Sequence, residues 1–413
     1  MAPIVKTKSE GHMRAWRITA VVCGAIFTAT AAGAAADGPV KIGVLNDQNS
    51  VYSVDGGKET VEAVRMAVED AGPVLGQPAQ VLAADHQNKP DVGLSIARQW
   101  FDIDGVDAIA DVPNSAIGFG VQILSTQKKK VALLVGSMSA DITGAKCSPY
   151  AVQWGADTWS MSRTLADAVM ARGGHDWFFI GADYTFGKSL VHETGEEVAA
   201  KGGKVLGAVY APLGANDFSS FVLQAQQSRA DVIALANSSA DTVNTLKQAI
   251  EFGLDRKHQR FAAYILFISH IKAMTLDVAQ GLLLVNPFYW DLNEETRAFS
   301  KRFTERVGHP PDWDPVMNYS AVLHYLKAIQ AVGSKDADKV IAKMREMPVN
   351  DVTTKNGHLR PDGRLERDLY LLEVKTPAES TGPWDLYKVD ATIPAAKAFR
   401  PLDQGGCPLV GAH

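Results

Sequence analysis

From Val40 onward, short apolar runs alternate with longer stretches whose apolar residues recur every three or four positions. That alternation is the pattern of parallel strands separated by amphipathic helices. Val40-Lys41-Ile42-Gly43-Val44-Leu45 predicts a first strand, and Val61, Val64, Ala67, Val68 and Ala71 then share one helical face. Further strands are expected at 80–84, 106–110 and 131–135, with helices at 95–101 and 115–126. The alternation restarts after residue 150, where helices at 158–171, 187–201, 218–227 and 240–252 separate strands at 177–180, 205–210, 232–236 and 261–267. A strand at 282–285 then precedes helical stretches at 294–307, 315–332 and 336–345, and 369–374 with 384–389 predicts an antiparallel pair. The expected class is α/β, with two doubly wound parallel-sheet halves.

The first 36 residues stand outside this pattern. Lys6, Lys8, Arg14 and Arg17 precede an Ala-rich apolar run from Ile18 to Ala32, and Ala34-Ala35-Ala36 offers small residues at cleavage-site spacing. Residues 1–36 therefore read as a secretory signal peptide cleaved before Asp37; a membrane anchor is the alternative, but the run is short of a bilayer span. Of the 413 residues, 46% are hydrophobic and 21% charged, ordinary for a globular protein of about two domains. The whole chain carries −5, and setting aside the leader's four basic and one acidic residues leaves −8. Such a chain is a poor partner for nucleic acid or anionic membranes. Two of the three cysteines, Cys147 and Cys407, remain after cleavage. In an oxidising compartment they are expected to pair, two unrelated buried thiols being the alternative.

Motifs for catalysis fail on inspection. Gly181 to Ser189 ends in Gly-Lys-Ser but has five residues between its glycines where a phosphate-binding loop has four, and Tyr184 and Phe186 would crowd a phosphate. Gly118-Phe119-Gly120 lacks the third glycine of a dinucleotide fingerprint. No histidine pair has metal-ligand spacing, and no nucleophile elbow is present. The expectation is a protein that is not an enzyme, with no cofactor and no metal.

In open α/β sheets, ligands lie beyond the carboxyl ends of strands. The loops there are Asn46 to Asp55, Val112 to Ser115, Gly136 to Ser139, Ala182 to Tyr184 and Asn237 to Ser239, and most place small hydroxyl or amide side chains at a helix start. Each alone is explained as a helix N-cap. As a set along one edge of two halves they point to a ligand cleft, because helix N-termini present free N–H groups and a positive dipole end.

These features together resemble the periplasmic solute-binding proteins of ABC importers, of the branched-chain amino acid and amide type (Leu/Ile/Val-binding protein-like). The resemblance rests on Val40-Lys41-Ile42-Gly43-Val44, on the loops at Asn114-Ser115 and Ser137-Met138-Ser139, on Asp183-Tyr184-x-x-Gly187, and on Pro361-Asp362-Gly363-Arg364. It implies the type 1 periplasmic binding fold, two lobes joined by a three-crossing hinge and closing as a flytrap. Lobe 1 would span 37–153 and 286–365, lobe 2 would span 154–285 and 366–400, and 401–413 would be a tail. The family places a ligand carboxylate between the loops matching Asn114 and Ser115 and those matching Ser137, Met138 and Ser139. Tyr184 would close over the ligand, and Asn237 and Ser238 would add hydrogen bonds. The implied partner is a membrane permease, the implied location the periplasm, and the expected state a monomer.

One departure bears on the ligand. Amino-acid binders of this family hold the ammonium with an acidic residue after the strand matching 261–266, where this chain has Ile265-Leu266-Phe267. A buried ammonium without a charged partner is costly. Asp157 offers a substitute charge or, equally, an N-cap for the helix from Thr158. With Tyr52, Trp159, Tyr184, Phe186 and Phe267 expected near the cleft, the reading is an aromatic acid of benzoate or phenylpropenoate type, the alternatives being a branched-chain amino acid or amide, or a sensor of the same fold.

Overall fold

The computed structural model describes residues 38–254 and 258–411. The expected signal peptide lies outside the described residues. The first sheet has the order β2-β1-β3-β4-β5, all parallel. Its strands are β1 (Lys41–Asn46), β2 (Gln80–Asp85), β3 (Ala108–Asp111), β4 (Val131–Leu134) and β5 (Ala151–Gln153). Helices α1 (Gly57–Ala71), α2 (Pro90–Gln99) and α3 (Ser115–Lys128) connect them. The central strands are buried throughout, as expected of parallel strands covered on both faces.

Helix α4 (Thr158–Met170) leads into a second parallel sheet of order β7-β6-β8-β9. It contains β6 (Asp176–Ala182), β7 (Lys204–Ala211), β8 (Val232–Ala236) and β9 (Arg260–Ala263). They alternate with α5 (Thr185–Ala200), α6 (Ser219–Ser228) and α7 (Ser239–Glu251), and are followed by α8 (Ile268–Met274) and α9 (Leu276–Ala279). Strand β10 (Leu283–Asn286) then pairs antiparallel with a later strand. Between them the chain runs through α10 (Glu294–Val307), α11 (Trp313–Val332) and α12 (Ala337–Glu346), which join the core of the first sheet. The short pair β11 (His358–Leu359) and β12 (Leu365–Glu366) follows, with Arg364 bridged to Gln153 at the edge of the first sheet. Strands β13 (Leu369–Val374) and β14 (Tyr387–Ile393) complete a three-stranded sheet, β10-β13-β14, that shares a core with the second parallel sheet. Helix α13 (Ala395–Ala398) then starts the tail.

Two segments differ from the hydrophobic pattern. The run 261–267 is a strand only to Ala263, because Phe267 opens α8 and the residues between are buried loop. The last strand begins at Tyr387, since the chain turns at 383–384 and Asp385 then ties Thr381 and Lys375.

The chain passes between the sheets three times, at 154–157, 287–293 and 367–368, and two fully buried arginines join these passages. Arg364 Nη1 lies 3.3 Å from Asp157 Oδ2 and its Nη2 donates to the carbonyl of Gly155, so the third passage is pinned to the first. Arg367 Nη2 donates to the carbonyls of Pro287 and Thr353, pinning the third passage to the second. Burial pulls both guanidinium groups down to about 10, which leaves them charged at neutral pH.

Cys147 and Cys407 form a disulfide across 260 residues of sequence, with Cα atoms 5.5 Å apart. It returns the tail to the first sheet, where Arg400 donates to the carbonyl of Ala140. Replacing both cysteines with serine is expected to cost about 2–4 kcal/mol, which for a chain of this size is a fall of about 3–5 °C in the thermal midpoint. An unchanged midpoint, measured by calorimetry with and without reductant, would contradict this.

Candidate functional site

The carboxyl ends of both parallel sheets face a narrow cavity of about 20 Å³. From the first sheet and its helices come Tyr52, Asp55, Asp111, Ser115, Met138, Trp313 and Asp314; from the second come Tyr184, Phe186, Ser238 and Phe267. Tyr52 is placed by the β1–α1 loop, which Asp47 holds by accepting hydrogen bonds from the backbone N–H groups of Asn49, Ser50 and Tyr52. Phe267 enters because α8 starts there, and its ring stacks on Trp313 at 5.4 Å and 16°. The lobes touch at several points around the cavity. The Tyr52 and Tyr184 hydroxyls lie 2.7 Å apart, Ser239 Oγ donates to Asp55 Oδ2, and the Ile268 N–H donates to Asp312 Oδ1 at 2.7 Å.

Seven of the expected residues therefore meet at the cavity: Tyr52, Ser115, Met138, Tyr184, Phe186, Ser238 and Phe267. The others do not line it. Asn114 caps α3, accepting from the N–H groups of Ala116 and Ile117, and Asn237 is held by Thr242 and Thr245 behind the wall. Ser137 donates to the carbonyl of Val112, and Ser139 Oγ sits 3.4 Å from Ser189 Oγ. Asp157 is the N-cap of α4 in a capping box with Ser160 and the partner of Arg364, which leaves no carboxylate free for a ligand. Trp159 faces a separate groove with Arg163 and Phe399.

Four lining residues were not among the expected ligand contacts: Asp111, Trp313 and Asp314, and Asp55 at the end of the Asn46–Asp55 loop. All four are buried, and the three aspartates stand with no Lys or Arg among the described lining residues. Asp111 Oδ2 accepts from Asn46 at 3.1 Å, and Asp314 Oδ2 accepts from Thr60 at 3.1 Å and Asn318 at 3.2 Å. Burial pushes Asp111 up to about 7 and holds Asp314 well above the usual carboxylate range, with the nearby Asp111 charge raising Asp314 further. Burial raises Asp55 in the same way. His270, 3.7 Å from Asp55, is pulled down to about 4 by burial and supplies no positive charge. Asp111 and Val112 hold left-handed backbone (φ 78° and 60°), as does Ser239 (φ 57°), conformations that cost free energy and recur at ligand sites. Gly136 is required beside them, because a Cβ there would stand 2.9 Å from Asp111 Oδ1 and 2.5 Å from Pro113 Cα.

Residues 39–382 match the family model described as periplasmic binding protein. The chain belongs to the periplasmic binding protein family. A crystal structure of a periplasmic binding protein from Burkholderia mallei is similar to it, with 42% identity, 90% of this chain and 99% of that chain covered, and a TM-score of 0.88. The "Leu/Ile/Val-binding protein homolog 6" of Brucella suis is 24% identical over 371 residues, covering 86% of this chain and 93% of the relative. A solute-binding protein of an ABC transporter from Rhodopseudomonas palustris, solved in complex with 3,4-dihydroxybenzoic acid, shares the fold with a TM-score of 0.78 and 21% identity, over 86% of this chain and 98% of that one. As a periplasmic binding protein of ABC-transporter type, the chain is a non-enzymatic transport component. Its α/β architecture is that of the type 1 fold.

Proposed function

We propose that this protein captures a small aromatic molecule in the interlobe cavity, in the periplasm, and delivers it as a monomer to the permease of an ABC importer. The observation that carries the reading is the cavity itself, whose walls come from both sheets and whose rim is bridged from one to the other. A ligand that contacts both walls favours the closed arrangement by its differential affinity for it. In this reading, lobe 1 comprises 37–153 and 286–365, lobe 2 comprises 154–285 and 366–400, and the leader is removed before Asp37. The ligand-contacting residues are the seven expected ones at the cavity together with Asp55, Asp111, Trp313 and Asp314.

The stacked Phe267–Trp313 pair and the Tyr52, Tyr184 and Phe186 rings support an aromatic ligand. The dihydroxybenzoate held by the R. palustris relative favours a benzoate-type acid as a second reading. The carboxylate clamp expected between Asn114 and Ser139 is not supported, because those side chains are engaged by neighbours and the adjacent wall carries aspartates rather than donors of positive charge. The name of the Brucella relative favours an aliphatic amino acid, for which the aromatic walls leave less reason.

The test is calorimetric titration of protein stripped of ligand by unfolding and refolding, with 4-hydroxybenzoate, phenethylamine and leucine as probes. Tyr184→Ala and Phe267→Ala are each expected to weaken the probe that binds by at least tenfold, with the thermal midpoint of Tyr184→Ala nearly unchanged. Binding indifferent to both substitutions would place the ligand outside this cavity.

A further inference from the structure

We infer that the ligand carries a positive charge, an organic ammonium group seated between the Asp55, Asp111 and Asp314 carboxyls and the aromatic walls. This rests on the reading that the interlobe cavity is the ligand site, and it names the ligand's polar end. Three carboxyl groups, each more than nine-tenths buried, meet at one small cavity without a basic side chain among the lining residues. Buried charge without a counter-charge is costly, so such a cluster persists where something else completes it.

Unsatisfied atoms supply a second, independent sign. Asp55 Oδ1 and Asp111 Oδ1 are buried and make no hydrogen bond, while the other oxygen of each is held by Ser239 or Asn46. Each carboxyl is thus fixed by one oxygen and leaves the other without a donor. An ammonium N–H, or the diffuse charge of a quaternary ammonium, is the complement to such acceptors. The walls are compatible with the same chemistry: Phe267, Trp313 and Tyr184 line the cavity and aromatic faces attract cations, while the unpartnered Trp313 Nε1–H calls for an acceptor elsewhere on the ligand.

The opposite case, an anion drawn to helix N-termini, meets two termini that are already engaged, while those of α1, α5 and α7 carry no side-chain cap and stand beside an acidic wall. The start of α8 donates to Asp312 through Ile268 at 2.7 Å, and the start of α3 donates to Asn114. The groups facing the three carboxyls from other elements do not reverse the sign. Asp47, Asp241 and Asp312 are acidic, His86 and His270 are pulled down to about 4, and Tyr52 and Tyr184 are raised, so the histidines and tyrosines are neutral at pH 7. When a cation enters, the protons that burial keeps on Asp111 and Asp314 leave for solvent, and the two carboxylates face the ammonium. No covalent bond forms or breaks.

The experiment compares benzyltrimethylammonium and phenethylamine with 3-phenylpropionate and 4-hydroxybenzoate by calorimetry, at pH 6 and pH 8, in two buffers of different ionisation heat. The ammonium compounds are expected to bind at least 100-fold tighter than the acids. Benzyltrimethylammonium, which does not titrate, should bind severalfold tighter at pH 8 and release protons. Asp111→Asn and Asp314→Asn should each weaken it at least tenfold, while the exposed Glu379→Gln leaves it unchanged; thermal midpoints of the variants establish that they are folded. Tighter binding of an acid, improvement of acid binding by Asp111→Asn, or no heat from either ammonium compound overturns the inference. An acid that binds and is weakened by Phe267→Ala overturns only the charge of the ligand and keeps the cavity as the site. An acid indifferent to Phe267→Ala and to Asp111→Asn overturns both.

Discussion

Arg364→Leu is expected to lower the stability of the protein by about 3–5 kcal/mol, because it removes the ion-pair partner of a buried carboxylate. Asp157 is 2% exposed and has Arg364 as its ion-pair partner. The same change frees the Gly155 carbonyl and removes the guanidinium from the face of Phe399, 4.6 Å away. With an unfolding entropy set by a chain of this size, the midpoint should fall by about 4–6 °C. Asp157→Asn on its own keeps the helix cap and costs less, and the double variant should recover part of the loss, since the stranded charge is gone. Additive losses in the double variant would show that the two residues do not act as a pair. A midpoint of Arg364→Leu within 1 °C of the parent would show that the pin between the first and third passages carries no stability.

The second large effect runs through pH. Asp111 and Asp314 are both raised by burial, and burial brings Asp312 up to about 7. A group whose folded pKa lies above its unfolded value binds more protons in the native state, so its stabilising contribution is full below about pH 4 and is lost as pH rises to about 7 and beyond. In the ligand-free protein the contribution of these groups to stability therefore falls between about pH 4 and 8. Asp111→Asn removes one titrating partner while keeping an oxygen for the Asn46 donor. It should match the parent near pH 4, exceed it by several degrees at pH 8, and flatten the profile in between. A variant more stable than its parent and yet deficient in binding is the signature of a site built at the expense of stability. Parallel profiles for parent and variant would remove the coupled pair from the account.

Much of the architecture was legible because it rests on local patterns. Helix 294–307 and strand 369–374 fall on their predicted bounds, since Asn293 with Thr296 forms a capping box and the strand is a continuous apolar run. The site was legible in its aromatic and hydroxyl members, which sit at strand ends in loops the fold class singles out. Its acidic members were not. Asp111 closes the apolar run Ala108-Ile109-Ala110 and reads as a strand boundary, Asp314 precedes a helix that the pattern opens at Pro315, and Asp55 lies in a loop rich in polar residues. Residues 55, 111 and 314 have no periodicity in common and meet only through tertiary packing. The available signal was an acid at or next to the carboxyl end of a strand, which Asp47 and Asp111 satisfy in the first sheet and Asp55, deep in the β1–α1 loop, does not. Asp157 carried two readings, ligand charge and helix cap, and is the cap of α4, whereas Trp159 lies on a half-buried helix face, which carries the same residue types as a ligand wall.

The Cys147–Cys407 bond changes what kind of polymer the protein is. Every residue of the second parallel sheet, all three passages and both buried arginines lie between those two positions, so they belong to a covalent ring and the first four strands hang from it as a linear arm. A single cut anywhere in the ring, in an exposed turn or in a passage, opens the circle without releasing a fragment. The cut protein keeps its mass until a reductant is added, and two cuts are needed before a piece departs. For a protein working outside the cytoplasm among proteases, the ring makes one nick a survivable event.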